Sequence, residues 1–137
     1  MKKFFINFVI LSIFIINKIY ASDGKLMSNI QVNYQLALFV ESMKPLLPQQ
    51  LDAVTTAIDV KSFGVRGIEY FYKLNMTKEQ MLKIPMFKSM AKNDKIKFYC
   101  TNQGLYWYRE EFVEMKWTYL DKNDEHYLSI RGNPNDC

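Results

Sequence analysis

The apolar residues of this chain fall into a few distinct rhythms, and each rhythm predicts an element. Between Ser28 and Lys44, the residues Val32, Leu36, Phe39, Val40, Met43 and then Leu47 recur at helical spacing, with Asn33, Gln35 and Glu41 at the other positions. Ser28 stands where an N-cap belongs, and Pro45 and Pro48 end the element. The stripe reads as a core face, because a small domain must bury every such face it has. The period then changes. Val54, Thr56, Ile58 and Val60 alternate with Thr55, Ala57, Asp59 and Lys61 in a β-branched run, and Gly64 and Gly67 bracket a turn. Ile68, Tyr70, Tyr72 and Leu74 alternate with Glu69, Phe71 and Lys73, which completes an antiparallel hairpin.

Thr77-Lys78-Glu79-Gln80 has capping-box spacing and predicts a helix start. Pro85 interrupts that helix, and Met86, Phe87, Met90 and Ala91 supply a second apolar patch. Asn93-Asp94 is one stopping point and Cys100 another; Lys95-Ile96-Lys97 is strand-like, which leaves the choice open. Thr101 or Asn102 is placed to cap a short helix through Leu105, Tyr108 and Phe112, weakened by Gly104. In the last part Val113, Met115, Trp117 and Tyr119 alternate with Glu114, Lys116 and Thr118, and Leu128 and Ile130 with Tyr127, Ser129 and Arg131. A tight turn at Lys122-Asn123 would set Trp117 opposite Leu128, Met115 opposite Ile130, Tyr119 opposite His126 and Glu114 opposite Arg131. Helix, hairpin, helical segment, hairpin is an α+β order: an antiparallel sheet of about four strands (two β-hairpins) with helices packed on one face, and one disulfide.

The 137 residues, 49% hydrophobic and 23% charged, exclude disorder and coiled coil. Residues 1–21 read as a signal peptide: Met1-Lys2-Lys3 is basic, Phe4 to Ile16 is almost wholly apolar, and Ala21 offers a small cleavage residue. A retained anchor is the alternative, but such a run rises only about 20 Å against a core of about 30 Å. Residues 22–137 then form a single α+β domain without an integral membrane span. Removing Lys2, Lys3 and Lys18 lowers the formal charge of +4 to nearly zero, so nucleic acid is not an expected partner.

Cys100 and Cys137 are the only cysteines, an even count suited to an oxidising compartment, and a structural disulfide between them is the reading they favour. It would close a loop of roughly 38 residues, worth ~4 kcal/mol against the unfolded state in the loop-entropy model. Two Cys and the single His126 are too few for a metal site, and no cofactor motif is present. Catalytic signatures are missing too. Glu110, Glu111 and Glu114 are the one carboxylate cluster a glycan hydrolase could use as acid and base. Half of the sixteen aromatics after Ala21 fall between Phe98 and Tyr119. Among them Tyr106 and Trp107, beside Arg109, have the residue types of a protein-binding surface; closing the core over the sheet is the plainer role.

The chain resembles small exported bacterial proteins of unassigned function. The resemblance runs through the leader, the first helix, Leu47-Pro48 before a strand, Tyr70-x-Tyr72-x-Leu74, a helix to Cys100, Trp117-x-Tyr119 and the terminal Asp136-Cys137. It implies the same fold and the Cys100–Cys137 bridge, and it carries over no catalytic residue. The function expected from all this is that of a non-enzymatic protein-binding factor of accessory, inhibitor or immunity type, periplasmic or secreted, whose partner is another protein. The alternatives are a small envelope-glycan hydrolase and a secretion- or pilus-system assembly factor.

Overall fold

A computed structural model describes residues 25–137, so the leader expected over residues 1–21 lies outside the described residues. Helix α1, Asn29–Met43, begins where Ser28 and Gln31 close a capping box, each side chain accepting the other's backbone N–H. Val32, Leu36, Phe39, Val40 and Met43 are buried as their spacing demands, and Gln35, assigned to the polar side by sequence, is buried with them. A 3-10 turn through Pro45, Lys44–Leu46, ends the helix, and Leu47 is only half-buried.

Five strands follow in the order β1 (Gln49–Gln50), β2 (Thr55–Phe63), β3 (Gly67–Leu74), β4 (Glu114–Leu120) and β5 (His126–Gly132). The sheet is mixed, because β3 and β4 run parallel while the other neighbours are antiparallel. The expectation of about four antiparallel strands is corrected on both counts. β1 is too short to show an alternation in sequence. The parallel joint comes from the long connection between the hairpins, since parallel neighbours require a crossover. Helices α2 (Lys78–Leu82), α3 (Phe87–Thr101) and α4 (Tyr106–Glu110) carry the chain back to the end where β3 began. Gly67 therefore pairs with Glu114, and Lys73 with Leu120.

Two irregularities change the expected registers. In β2 the ladder shifts between Ala57 and Asp59, so the inward residues are Ala57 and Val60 rather than Thr56, Ile58 and Val60. In the last hairpin Trp117 pairs with Ile130, Tyr119 with Leu128 and Met115 with Gly132, while His126 lies opposite Leu120. The turn there is wider than a two-residue one: Asp121 N–H reaches Glu125 O, and Asp124 takes φ 66°. A bulge between Tyr119 and Leu120 adds a second one-residue offset. The two offsets sum to an even shift, so the same side chains still face inward. Glu114 still reaches Arg131, at 3.2 Å, although Arg131 now stands opposite Lys116.

The core joins α1, the inward face of the sheet, Met81, Tyr99, Leu105 and Tyr108. On the outward positions charges and rings shield one another. Lys116 and Thr118 both bond Glu69 Oε1, Thr118 also meets Ser129 Oγ, and Lys61 lies over the Phe71 ring. Burial pushes the Glu69 pKa up, but these donors outweigh it and leave the carboxyl below its ordinary value. At the β2–β3 turn Gly67 is forced by packing, because a Cβ there would sit 2.6 Å from Phe63 O. α3 continues through Lys95-Ile96-Lys97 to Thr101, which answers the question its sequence left open, and Cys100 near its end is bonded to Cys137.

Candidate functional site

Helix α3 has the length to be a core helix and only part of the burial. Of its fifteen residues Tyr99 alone is fully buried. Phe87, Ala91, Lys95 and Phe98 follow one another along the inner side; Phe87, Ala91 and Phe98 pack partly against the core and, with Lys95, border a gap toward the ends of β2, β3 and β4. The gap is a groove of about 500 Å³ whose far wall is Val54, Thr55, Leu74 and Tyr119. Ile84, Met90 and Asp94 complete its lining. Met90 on its lining is 59% exposed, and Met86, next to Phe87 in the chain, is 71% exposed. The apolar patch seen in sequence at Met86, Phe87, Met90 and Ala91 is split by the fold: Phe87 and Ala91 are half-buried against the core, and Met86 and Met90 are exposed.

Three local devices hold this wall in place. Thr77 and Gln80 cap α2 reciprocally, as their spacing predicts. Met86 then takes a left-handed conformation, φ 63°, that turns the chain from α2 into α3 next to Pro85. Asp121, in the β4–β5 turn, is buried and accepts backbone N–H groups from Asn123, Glu125 and Lys78. Burial pushes its pKa up, but those three donors prevail and hold the carboxyl below its ordinary value. Through the Lys78 bond the turn grips the first residue of α2. At the other end the Cys100–Cys137 bridge ties α3 to the segment after β5.

Lys95 is the half-buried charge of the groove, beside the exposed Asp94 on the same lining. Its ammonium lies 4.8 Å from the centre of the Tyr72 ring and 5.8 Å from that of Trp117. Burial pushes its pKa down to about 8, and the carboxylates of Asp94 and Asp52 recover only part of the shift. Among the described residues no carboxylate stands within salt-bridge distance of it. Sequence reading missed this residue, because nothing local marks a lysine that will point into a sheet from a helix.

The residues singled out by sequence lie elsewhere. Tyr106 is 58% exposed at the start of α4, and Trp107 is half-buried edge-on against Tyr108. Arg109 donates to the carbonyls of Tyr99 at 2.6 Å and Asn102 at 2.9 Å, and so braces the α3–α4 junction. Tyr108 and Leu105 are buried as expected, but Phe112 is not: it takes φ 52° after α4 ends and is 53% exposed. Glu111 accepts the N–H of Met27 at 2.9 Å and meets Arg66 at 3.4 Å, Glu114 meets Arg131, and Glu110 is exposed. His126 is exposed and bonds Ser129 Oγ. Among the described residues no three His, Cys, Asp or Glu side chains gather as a metal site would need, and no helix is long and apolar enough to cross a membrane.

No protein-family model matches the chain, and no curated protein matches it. Three solved structures do. One is a candidate secreted protein from Pseudomonas aeruginosa, with 12% identity, 86% of this chain and 99% of that one covered, and a TM-score of 0.67. The others are type II secretion system pilotins. That of Vibrio vulnificus has 9% identity, coverage of 80% and 94%, and a TM-score of 0.64. That of Vibrio cholerae has 7% identity, the same coverages, and a TM-score of 0.61. At such identities what is shared is the fold: this chain has the architecture of a candidate secreted protein and of two secretion pilotins.

Proposed function

We propose that this protein is an exported assembly factor of a bacterial envelope secretion machine, and that it holds a segment of another protein in the groove beside α3. The observation that carries the reading is the groove itself. A helix whose inner side borders a gap, with exposed Met90 on the lining and exposed Met86 close by in the chain, leaves apolar surface that a partner's side chains would cover. The methionines suit such a role, because unbranched thioethers adapt to the shape they meet. The fold shared with two secretion pilotins favours the assembly-factor alternative over an inhibitor or immunity role and over glycan hydrolysis. The Cys100–Cys137 bond favours a periplasmic or extracellular location.

The test is genetic and structural together. In the native bacterium, loss of this chain should leave an envelope secretion complex unassembled. Wild type should restore it, and a folded Phe87→Asp variant should not. Assembly that is indifferent to the chain would reject the reading. Tyr106 and Trp107 form a second surface we propose for the partner, favoured by the exposure of Tyr106. There Trp107→Ala should weaken partner retention without lowering the thermal midpoint, whereas lost stability with unchanged retention would make Trp107 a core residue.

A further inference from the structure

We infer that the groove beside α3 selects an acidic peptide segment, an apolar stretch carrying Asp or Glu, and that Lys95 receives one of its carboxylates. The inference rests on the proposed groove-binding role and adds to it what the partner must look like.

The first observation is the distribution of charge. Residues 78–97, which build α2 and most of α3, hold six lysines and two carboxylates. The other described residues hold nine basic and eleven acidic side chains, so the excess of cations belongs to the helical segment from which one wall of the groove is built. Lys83, Lys88 and Lys92 are exposed on the same segment, outside the groove's lining. A partner with the opposite sign is attracted on approach, and one with the same sign is repelled.

The second observation is Lys95. Its ammonium sits inside the groove over two aromatic rings and has no carboxylate within salt-bridge distance among the described residues. Asp94 on the same lining and Asp52 act on it only from beyond salt-bridge distance, so a carboxylate entering beside the apolar wall would supply the direct partner it lacks. The cavity's shape points the same way. It is concave and walled by Leu74, Phe87 and Phe98, which fits side chains projecting from a peptide better than the flat surface of a bilayer.

Short labelled amphipathic peptides test this, each with leucines on one side and either glutamate, glutamine or lysine on the other. The glutamate peptide should bind wild type about tenfold more tightly than the glutamine peptide, and the lysine peptide more weakly still. Lys95→Met should bind the glutamine peptide as wild type does and lose most of the preference for glutamate. Lys88→Met, changed outside the groove's lining, should keep most of it. Phe87→Asp should bind none of the three. Equal binding of the glutamate and glutamine peptides by wild type, lost in Phe87→Asp, would overturn the charge selection and leave the groove reading standing. Binding of none of them, or binding unaffected by Phe87→Asp, would overturn both. So would binding confined to anionic phospholipid vesicles, which would make this face a membrane surface.

Discussion

Helices α1 and α3 have the same length and opposite fates. Each has fifteen residues, yet α1 buries six of them and α3 one. α1 carries a single charged residue, Glu41, whereas α3 carries Lys88, Lys92, Asp94, Lys95 and Lys97. In α1 Val32, Leu36, Phe39, Val40 and Met43 form one stripe that packs onto β2, so burial and helix formation reinforce each other, while Ile30, Tyr34 and Leu38 lie exposed off that stripe. In α3 the apolar residues form a sparser line broken by Asp94 and Lys95; the helix packs onto β5, and the bridge from Cys100 to Cys137 ties its end to the segment after that strand. One helix is there for the fold. The other is kept in place by caps, a turn, contacts with β5 and a covalent bond, and part of its inner side borders the groove we propose for a partner.

Changes that strike the two helices differently can break that contrast. The largest effect expected is at Cys137: Cys137→Ser should remove ~4 kcal/mol of the constraint on the unfolded chain, less any structure the reduced chain retains, read by urea unfolding. Leu36→Ala in α1 should cost about 3 kcal/mol by the same measurement, through a cavity at a fully buried site. If Leu36→Ala were nearly neutral, α1 would not be the packed helix described here.

A pH profile sharpens the comparison at Lys95. Its pKa of about 8 in the fold lies below the unfolded value, so between roughly pH 8 and 10 the unfolded chain holds a proton the folded one has released. Stability should therefore rise over that range by on the order of 1–2 kcal/mol, and Lys95→Met should abolish the rise. Above roughly pH 10 the trend reverses, because burial holds the hydroxyls of Tyr72, Tyr99, Tyr108 and Tyr119 above their ordinary pKa. At the acid end Glu69 and Asp121 have lowered pKa values, so what they contribute is present above about pH 4 and is lost as pH falls through their folded values. A flat profile from neutral pH to pH 10 in wild type would mean that Lys95 is well solvated. The smallest effect is at the rim: Met90→Ala should change stability by less than about 0.5 kcal/mol while weakening peptide binding, checked by thermal melts beside titrations.

Much of this fold is legible in the residues. The α1 stripe, the Ser28 and Thr77 caps, the strands from Tyr70 and Trp117 and the Cys100–Cys137 pair all follow from local spacing or parity. Register was not legible in the last hairpin, because a wider turn and a bulge shift it by an even number and leave the alternation of Met115, Trp117 and Tyr119 intact. Nor was the β3–β4 parallel pairing, which depends on where the crossover through α2, α3 and α4 lands. The groove was hidden for a similar reason. Its wall comes from Val54, Leu74, Phe87 and Tyr119, far apart in sequence, and composition points instead to the aromatic run at Tyr106 to Tyr108. Met90 in a patch looks the same whether the fold covers it or not.

The most direct test of the account is site-specific photocrosslinking in the living envelope. A photoreactive residue replaces Met90 at the groove mouth, Tyr34 on the outer side of α1, or Tyr106 on α4. The account predicts an adduct with another envelope protein from position 90, lost when Phe87→Asp is added, and none from position 34. Crosslinking from position 34 with none from position 90 would contradict it.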